Sequence, residues 1–334
     1  MILTGTGMFG SNHYPIWVAG GDGDNYTIAW STNGTTWNPV INSVTLFYFH
    51  CDTFAYDGTK WLAGGNGISP STTRMAISYD GKTWTSNTGA NSIFSQSVRQ
   101  IVYNGSMWVA IGTGVNTFAY SYDGITWAAS TSGNALFTSP QGIAWNGSIW
   151  VAGGFSTNNR VGYSYDGINW TASTSGNALI PGTGFNPGSA LNPVWNGTVW
   201  VLSGAGGGAT NRIIYSYDGI NWLPSANGNS IFSGATYLAA NSSIIIGSGG
   251  YSTDGINWTA STGAGSLSSI FTAGFKTAAW DGFIWRAVGN GVSKGAYSTD
   301  GINWTSFTGL NSIFNNGAYG IASKPAPNLY PPIS

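Results

Sequence analysis

The chain has 334 residues, of which only 6% are charged, with no glutamate, a net charge of −1, 51 glycines and 15% aromatic residues. So weak a charge balance gives no general attraction to nucleic acid or anionic membranes, and no apolar run is long enough to cross a bilayer. A single cysteine, Cys51, excludes an internal disulfide, and 17 tryptophans beside so little charge exclude a disordered chain.

In chain order, Met1 to Gly7 carries neither a basic nor an apolar leader, so no signal peptide is expected. From Ser31 a pattern Ser-x-Asp-Gly-x-x-Trp sets in. It runs Ser31 to Trp37 with Asn33 in place of Asp, then Ser78 to Trp84, Ser121 to Trp127, Ser164 to Trp170, Ser216 to Trp222, Ser252 to Trp258 and Ser298 to Trp304. The serines lie 47, 43, 43, 52, 36 and 46 residues apart, a repeat of about 45. A turn followed by an apolar run precedes most copies: Asp57-Gly58 into Trp61, Asn104-Gly105 into Trp108, Asn146-Gly147 into Trp150, Asn196-Gly197 into Trp200 and Asp281-Gly282 into Trp285. Trp17 holds this place in the first repeat and Ile245 in the sixth.

Each repeat reads as four short strands, a to d. In the third they are Gln100–Tyr103, Met107–Ile111, Phe118–Tyr122 and Ile125–Ala129, joined a to b by Asn-Gly and c to d by Asp-Gly, dipeptides suited to tight hairpins. Seven four-stranded antiparallel units predict an all-β, seven-bladed β-propeller, with no convincing helix. The first repeat lacks a strand a. Gly317 to Ser323 resembles the strand a of other repeats and is expected to supply it, closing the ring and removing two sheet edges. The propeller is assigned to residues 1–324 and a Pro-rich tail to 325–334.

The repeat absorbs the tryptophans. Seven are box residues, six begin strand b, three (Trp145, Trp195 and Trp280) end strand a, and Trp30 adjoins the first box serine. They are expected between the blades, leaving loop tyrosines such as Tyr14, Tyr26, Tyr48 and Tyr237 as possible contact residues.

The boxes resemble the Asp-box, or BNR repeat, of sialidases and many non-enzymatic propellers, whose pattern is Ser-x-Asp-x-Gly-x-Thr-Trp. All seven copies here lack one residue between Asp and Gly. The resemblance implies a structural role on the face opposite the ligand site. It casts Asn33, Asp80, Asp123, Asp166, Asp218, Asp254 and Asp300 as turn-holders rather than catalytic acids.

Sialidase-type catalysis needs a Glu-activated Tyr, an arginine cluster and an Asp acid/base. Without glutamate, and with six aspartates in boxes and Asp57 and Asp281 in turns, only Asp22, Asp24 and Asp52 remain. His13 and His50 form no metal spacing with Cys51, and no phosphate-binding loop is present. The expectation is a chain that is no enzyme and needs neither cofactor nor metal.

The ten basic residues show a register. Arg74, Arg160, Arg212 and Lys294 each precede a box serine by four residues, at the start of strand c. Arg99 and Lys276 start strand a, four before Tyr103 and Trp280. Strands a and c start on the same face, opposite the Asp-Gly turns, so these six mark a candidate basic, anion-attracting face. Loops from d to a share Asn91, Asn134, Asn177, Asn229 and Asn311 ahead of an apolar pair. Each Asn either pins its loop or offers one of several near-equivalent polar sites. The leading expectation is a recognition or structural propeller binding a glycan or protein through the d–a and b–c loop face, with neither nucleic acid nor membrane as partner. The alternatives are a diverged sialidase-like enzyme and a scaffold gripping a partner with its basic face. The neutral, Glu-free surface suits a virion or extracellular protein.

Overall fold

The computed structural model describes residues 16–67, 72–180, 189–205, 211–232, 234 and 236–324. The Pro-rich tail, His13 and Tyr14 lie outside them. The strands form seven small antiparallel sheets arranged as a seven-bladed β-propeller. In the third blade the strands are Ser97–Tyr103, Trp108–Thr113, Phe118–Ser121 and Ala128–Ala129, innermost to outermost. Strand a starts earlier than the sequence suggests and strand d is shorter, because the box turn occupies residues up to Trp127. In the first blade, Gly317–Ser323 pairs antiparallel with Trp17–Asp22, so the end of the chain closes the ring.

The box explains the turn. In the third blade the Asp123 carboxylate accepts hydrogen bonds from the amides of Ile125 and Thr126, both at 2.7 Å, and from the Ser121 hydroxyl at 3.0 Å. Ser121 Oγ accepts from Gly124 N at 2.8 Å, and Trp127 Nε1 donates to Gly124 O at 3.2 Å. Gly124 has φ +72°, a left-handed conformation that favours glycine at this point of the turn. Slight burial raises the Asp123 carboxyl, but these donors outweigh it and hold its pKa at about 2.

Each blade packs face to face on the next. Trp150 and Ala152 of the fourth blade, for example, bury against Val109 and Ile111 of the third. Trp17, Trp61, Trp108, Trp150, Trp200 and Trp285 on strand b are fully buried in these seams. At order-of-magnitude level each contributes roughly 4–6 kcal/mol of apolar burial before entropy is set against it.

Short helices do occur, contrary to the sequence expectation. They include Thr131–Leu136 and Thr174–Leu179 in d–a loops, where Ser130 and Ser173 cap the first turn by accepting from Gly133 N and Gly176 N. A single turn followed by an apolar plug leaves too little helical periodicity to read from sequence. Among the described residues, no helix is long and apolar enough to cross a membrane.

Candidate functional site

Five of the seven inner strands carry a register shift at one equivalent place. The residue passed over by the pairing is Asp52, Arg99, Gln141, Lys276 or Tyr319. A bulge leaves its extra residue out of the ladder and re-aims the side chain. Here all five line a recess on the propeller axis, at the end where the d–a loops enter.

The other two blades reach the same recess without the extra residue. The fifth inner strand is broken between Ala190 and Val194, with Asn192 in the gap, and the sixth begins at Leu238, just after Tyr237. Each bulge residue lies four positions before the end of its strand, whereas Asn192 and Tyr237 lie three before theirs. Each blade therefore delivers one side chain to the axis, five of them from the same bulged repeat position.

The recess holds about 260 Å³ at its mouth and takes in His50 beside Asp52. His50 Nδ1 lies 2.8 Å from Asp52 Oδ1, and its ring tilts against Tyr319 with centroids 5.1 Å apart. Lys276 Nζ stands between two phenol rings, 5.5 Å from the centroid of Tyr237 and 5.3 Å from that of Tyr319. Arg99 Nη1 donates to Ser139 Oγ at 3.0 Å and to Pro140 O at 3.1 Å, which fixes the guanidinium to the next blade.

Burial lowers the pKa of Lys276, with Asp52 opposing, and lowers that of Arg99, which remains cationic. Burial raises Tyr237 and Tyr319, helped by the charge of Asp52 at Tyr237 and of Asp22 at Tyr319, so both phenols stay protonated donors. For His50, burial pulls the pKa down. The hydrogen bond and charge of Asp52 outweigh it and raise the net value. Two fixed cations, one carboxylate, a titrating imidazole and several neutral donors thus converge where water is partly excluded. This is a setting that favours an anion.

Of the six basic residues singled out by register, Arg99 and Lys276 meet on the axis. The other four sit at strand c starts around the ring. Arg74 donates to the carbonyls of Thr72 and Ser95, Arg160 to those of Ser156 and Asn159, and Lys294 Nζ to Gly291 O at 2.7 Å. Arg160 is 3% exposed and Lys294 8%, so their charges hold their own b–c loops rather than face a ligand. Arg212 sits at the matching strand start, its amide donating to Asn229 Oδ1 at 2.5 Å. The shared loop asparagines take the pinning role. Asn91, Asn134, Asn177, Asn229 and Asn311 each accept from the amide of the first or preceding residue of strand c.

All charged groups divide between the two faces. The loop face has six cations against Asp22, Asp24 and Asp52. The turn face has eight aspartates against Lys60, Lys82, Arg286 and Lys324. Among the described residues, no group of three or more His, Cys, Asp or Glu side chains could hold a metal ion. Sequence reasoning found Arg99 and Lys276 but passed over Gln141, Asn192 and Tyr319 and left Asp52 unassigned. Counting back four residues from the end of each strand a would have found Asp52, Gln141 and Tyr319.

No family model and no curated protein matches the chain. Solved structures do. One described as a putative 6-phosphogluconolactonase from Bacteroides uniformis ATCC 8492 has a TM-score of 0.57 at 11% identity, covering 93% of this chain and 99% of that one. A second of the same description, from Bacteroides fragilis NCTC 9343, has a TM-score of 0.55 at 12% identity, covering 93% and 98%. A nidogen/laminin complex structure matches with a TM-score of 0.54 at 10% identity, covering 92% and 98%. At these identities the likeness shows the fold alone. Two of these structures bear the name of an enzyme, which overturns the expectation that the chain is not one: its architecture is no ground for excluding catalysis.

Proposed function

We propose that this chain is a ligand-binding propeller that takes a carboxylate or phosphate anion in the axial recess of its loop face. The observation that carries the reading is the convergence of Arg99 and Lys276, from blades three and seven, on one recess whose facing carboxylate, Asp52, is engaged by His50. Arg99 offers a planar fork for a carboxylate or phosphate, and Lys276 a point charge opposite it. Tyr237, Tyr319 and Gln141 add neutral hydrogen-bonding groups around the anion. The Asp-box resemblance supports the same choice of face, because it sets the ligand opposite the boxes. An acidic glycan or a carboxylate-bearing partner would enter by this mouth.

Calorimetric titration of the full chain with acetate, inorganic phosphate and gluconate tests the reading. Saturable binding is expected to weaken with salt and to fall about tenfold or more in Arg99→Ala. Absence of binding by all three anions, or binding indifferent to both salt and Arg99→Ala, would falsify it.

A second reading rests on the His50–Asp52 pair. An imidazole held by a carboxylate at the rim of an anion site is placed to accept a proton from water beside the bound molecule. The name 6-phosphogluconolactonase, borne by two structures of this fold, makes phosphorylated sugar lactones the first esters to try. Turnover that vanishes in His50→Gln while anion binding survives would establish it. No turnover of any such ester by the intact chain would leave binding alone.

A further inference from the structure

The recess does not end at the ring of charges. Gln100, Asn192 and Thr277 belong both to its floor and to a second space of about 320 Å³ that continues along the axis toward the turn face. No charged residue lines this lower space. Its wall includes Val102, Ile143, Trp145, Val194 and Trp195.

Two of the three polar side chains at the waist bridge neighbouring blades. Gln100 Oε1 accepts from Ile143 N at 2.8 Å. Asn192 donates to Leu238 O at 2.6 Å and accepts from Leu238 N at 3.1 Å. These bonds tie neighbouring inner strands sideways, where no β-ladder joins them.

The sixth blade widens this lower part. Five blades end strand a with Tyr56, Tyr103, Trp145, Trp195 or Trp280, each against a strand-b tryptophan. In the sixth blade the corresponding pair is Ala240 and Ile245. At the strand-a position one large ring is missing where Leu238, Ala239 and Ala240 line the channel. The drop from the ring to this level is four residues of strand, roughly 13 Å.

We propose that the axial channel holds an amphiphile, with its anionic head between Arg99 and Lys276 and its hydrocarbon tail in the lower channel beside Trp145, Trp195 and Ala240. The inference rests on the anion-binding reading of the recess and names its ligand class. A carboxylate and a phosphate monoester share the required head chemistry. Water released from the lower wall makes the tail contribution grow with chain length, by roughly threefold to fourfold per methylene buried.

The test is calorimetric titration of the full chain, below micelle concentrations, with acetate, octanoate and dodecanoate. Inorganic phosphate and dodecyl phosphate are a second pair of heads, and dodecanol is the uncharged control. Octanoate is expected to bind at least tenfold tighter than acetate, and dodecanol much more weakly than dodecanoate. Whichever head binds more tightly at equal tail length identifies the source. Arg99→Ala should weaken every anion. Ala240→Trp places at this position a residue that three other blades already carry. It should remove the gain with chain length while leaving acetate binding unchanged, and Ala278→Leu, at a residue that lines only the lower space, serves the same purpose if Ala240→Trp fails to fold. If octanoate binds no tighter than acetate, or if filling the channel leaves the gain intact, the tail site is wrong and the anion site stands. If no anion binds, both fall. If long chains bind regardless of Arg99 or of the head, the contact is unspecific apolar adsorption and the tail site is overturned, while Arg99-dependent binding of acetate still decides the anion site.

Discussion

The two ends of this propeller treat the same repeat in opposite ways. On the turn face seven boxes are nearly identical, because Ser, Asp, Gly and Trp complete one another within seven residues of chain. On the axis the seven blades present Asp52, Arg99, Gln141, Asn192, Tyr237, Lys276 and Tyr319, and no two neighbouring blades agree. A position that builds a blade must satisfy the same local hydrogen bonds each time. A position that faces the axis, in five blades released from the ladder by a bulge, can vary without cost to the turn or the seam. The repeat is uniform where it supports the fold and diverse where a ligand would be read.

The comparison breaks most readily at the seams. Trp150→Ala, which empties a fully buried site between two blades, should cost about 3–5 kcal/mol, read as a lower denaturant midpoint. A loss below about 1 kcal/mol would mean that the seams carry less of the stability than the buried indoles suggest.

At the boxes the effect is smaller. Asp166→Ala removes the acceptor for Ile168 N, Asn169 N, Asn169 Nδ2 and Ser164 Oγ, and should cost about 1–2 kcal/mol. The boxes also fix the acid response. Asp123, Asp166, Asp218, Asp254 and Asp300 are held at about 2, below the ~3.9 of an unfolded aspartate. Their contribution is fully present above the unfolded value and is lost as pH falls through the folded one, so the melting temperature should decline between about pH 4 and 2. Solvent around these largely exposed carboxylates keeps each contribution modest. A melting temperature that holds steady to pH 2 would contradict the assignment.

The axial ring should respond in the reverse sense, with function affected more than stability. Lys276→Met leaves an apolar chain between Tyr237 and Tyr319, and should shift stability by less than about 1 kcal/mol while lowering anion affinity about tenfold. Equal losses in both would make Lys276 a scaffold residue. The smallest effect concerns protons. His50 has a raised pKa, so anion affinity should improve a few-fold as pH falls from 8 to 6 and a positive charge is added beside the recess. Asp52→Asn takes away the main group that raises it and leaves burial opposed only by Asp22, which moves that improvement to lower pH. An unshifted pH profile would remove His50 from the site.

Much of the molecule was legible from residue order. The box, the hairpin dipeptides and the strand-b tryptophans each act within a few residues, so their spacing gave seven blades and the closing role of Gly317 to Ser323. The basic register was also legible, but its meaning was not. Arg74, Arg160 and Lys294 look equivalent to Arg99 and Lys276 until nearby loop carbonyls are seen to hold them. Arg99 and Lys276 reach the axis because a bulge turns them inward, and a bulge has no residue signature of its own in these strands.

What residue order by itself determined is therefore the blade: local hydrogen bonds and periodic burial specify it with no help from distant parts of the chain. Only the closed ring decided the site. It brings residues from 50 to 319 within reach of one axis, ties some basic side chains to loop carbonyls while it gathers Arg99 and Lys276 at the recess, and leaves at Ala240 a space whose shape depends on the blades around it.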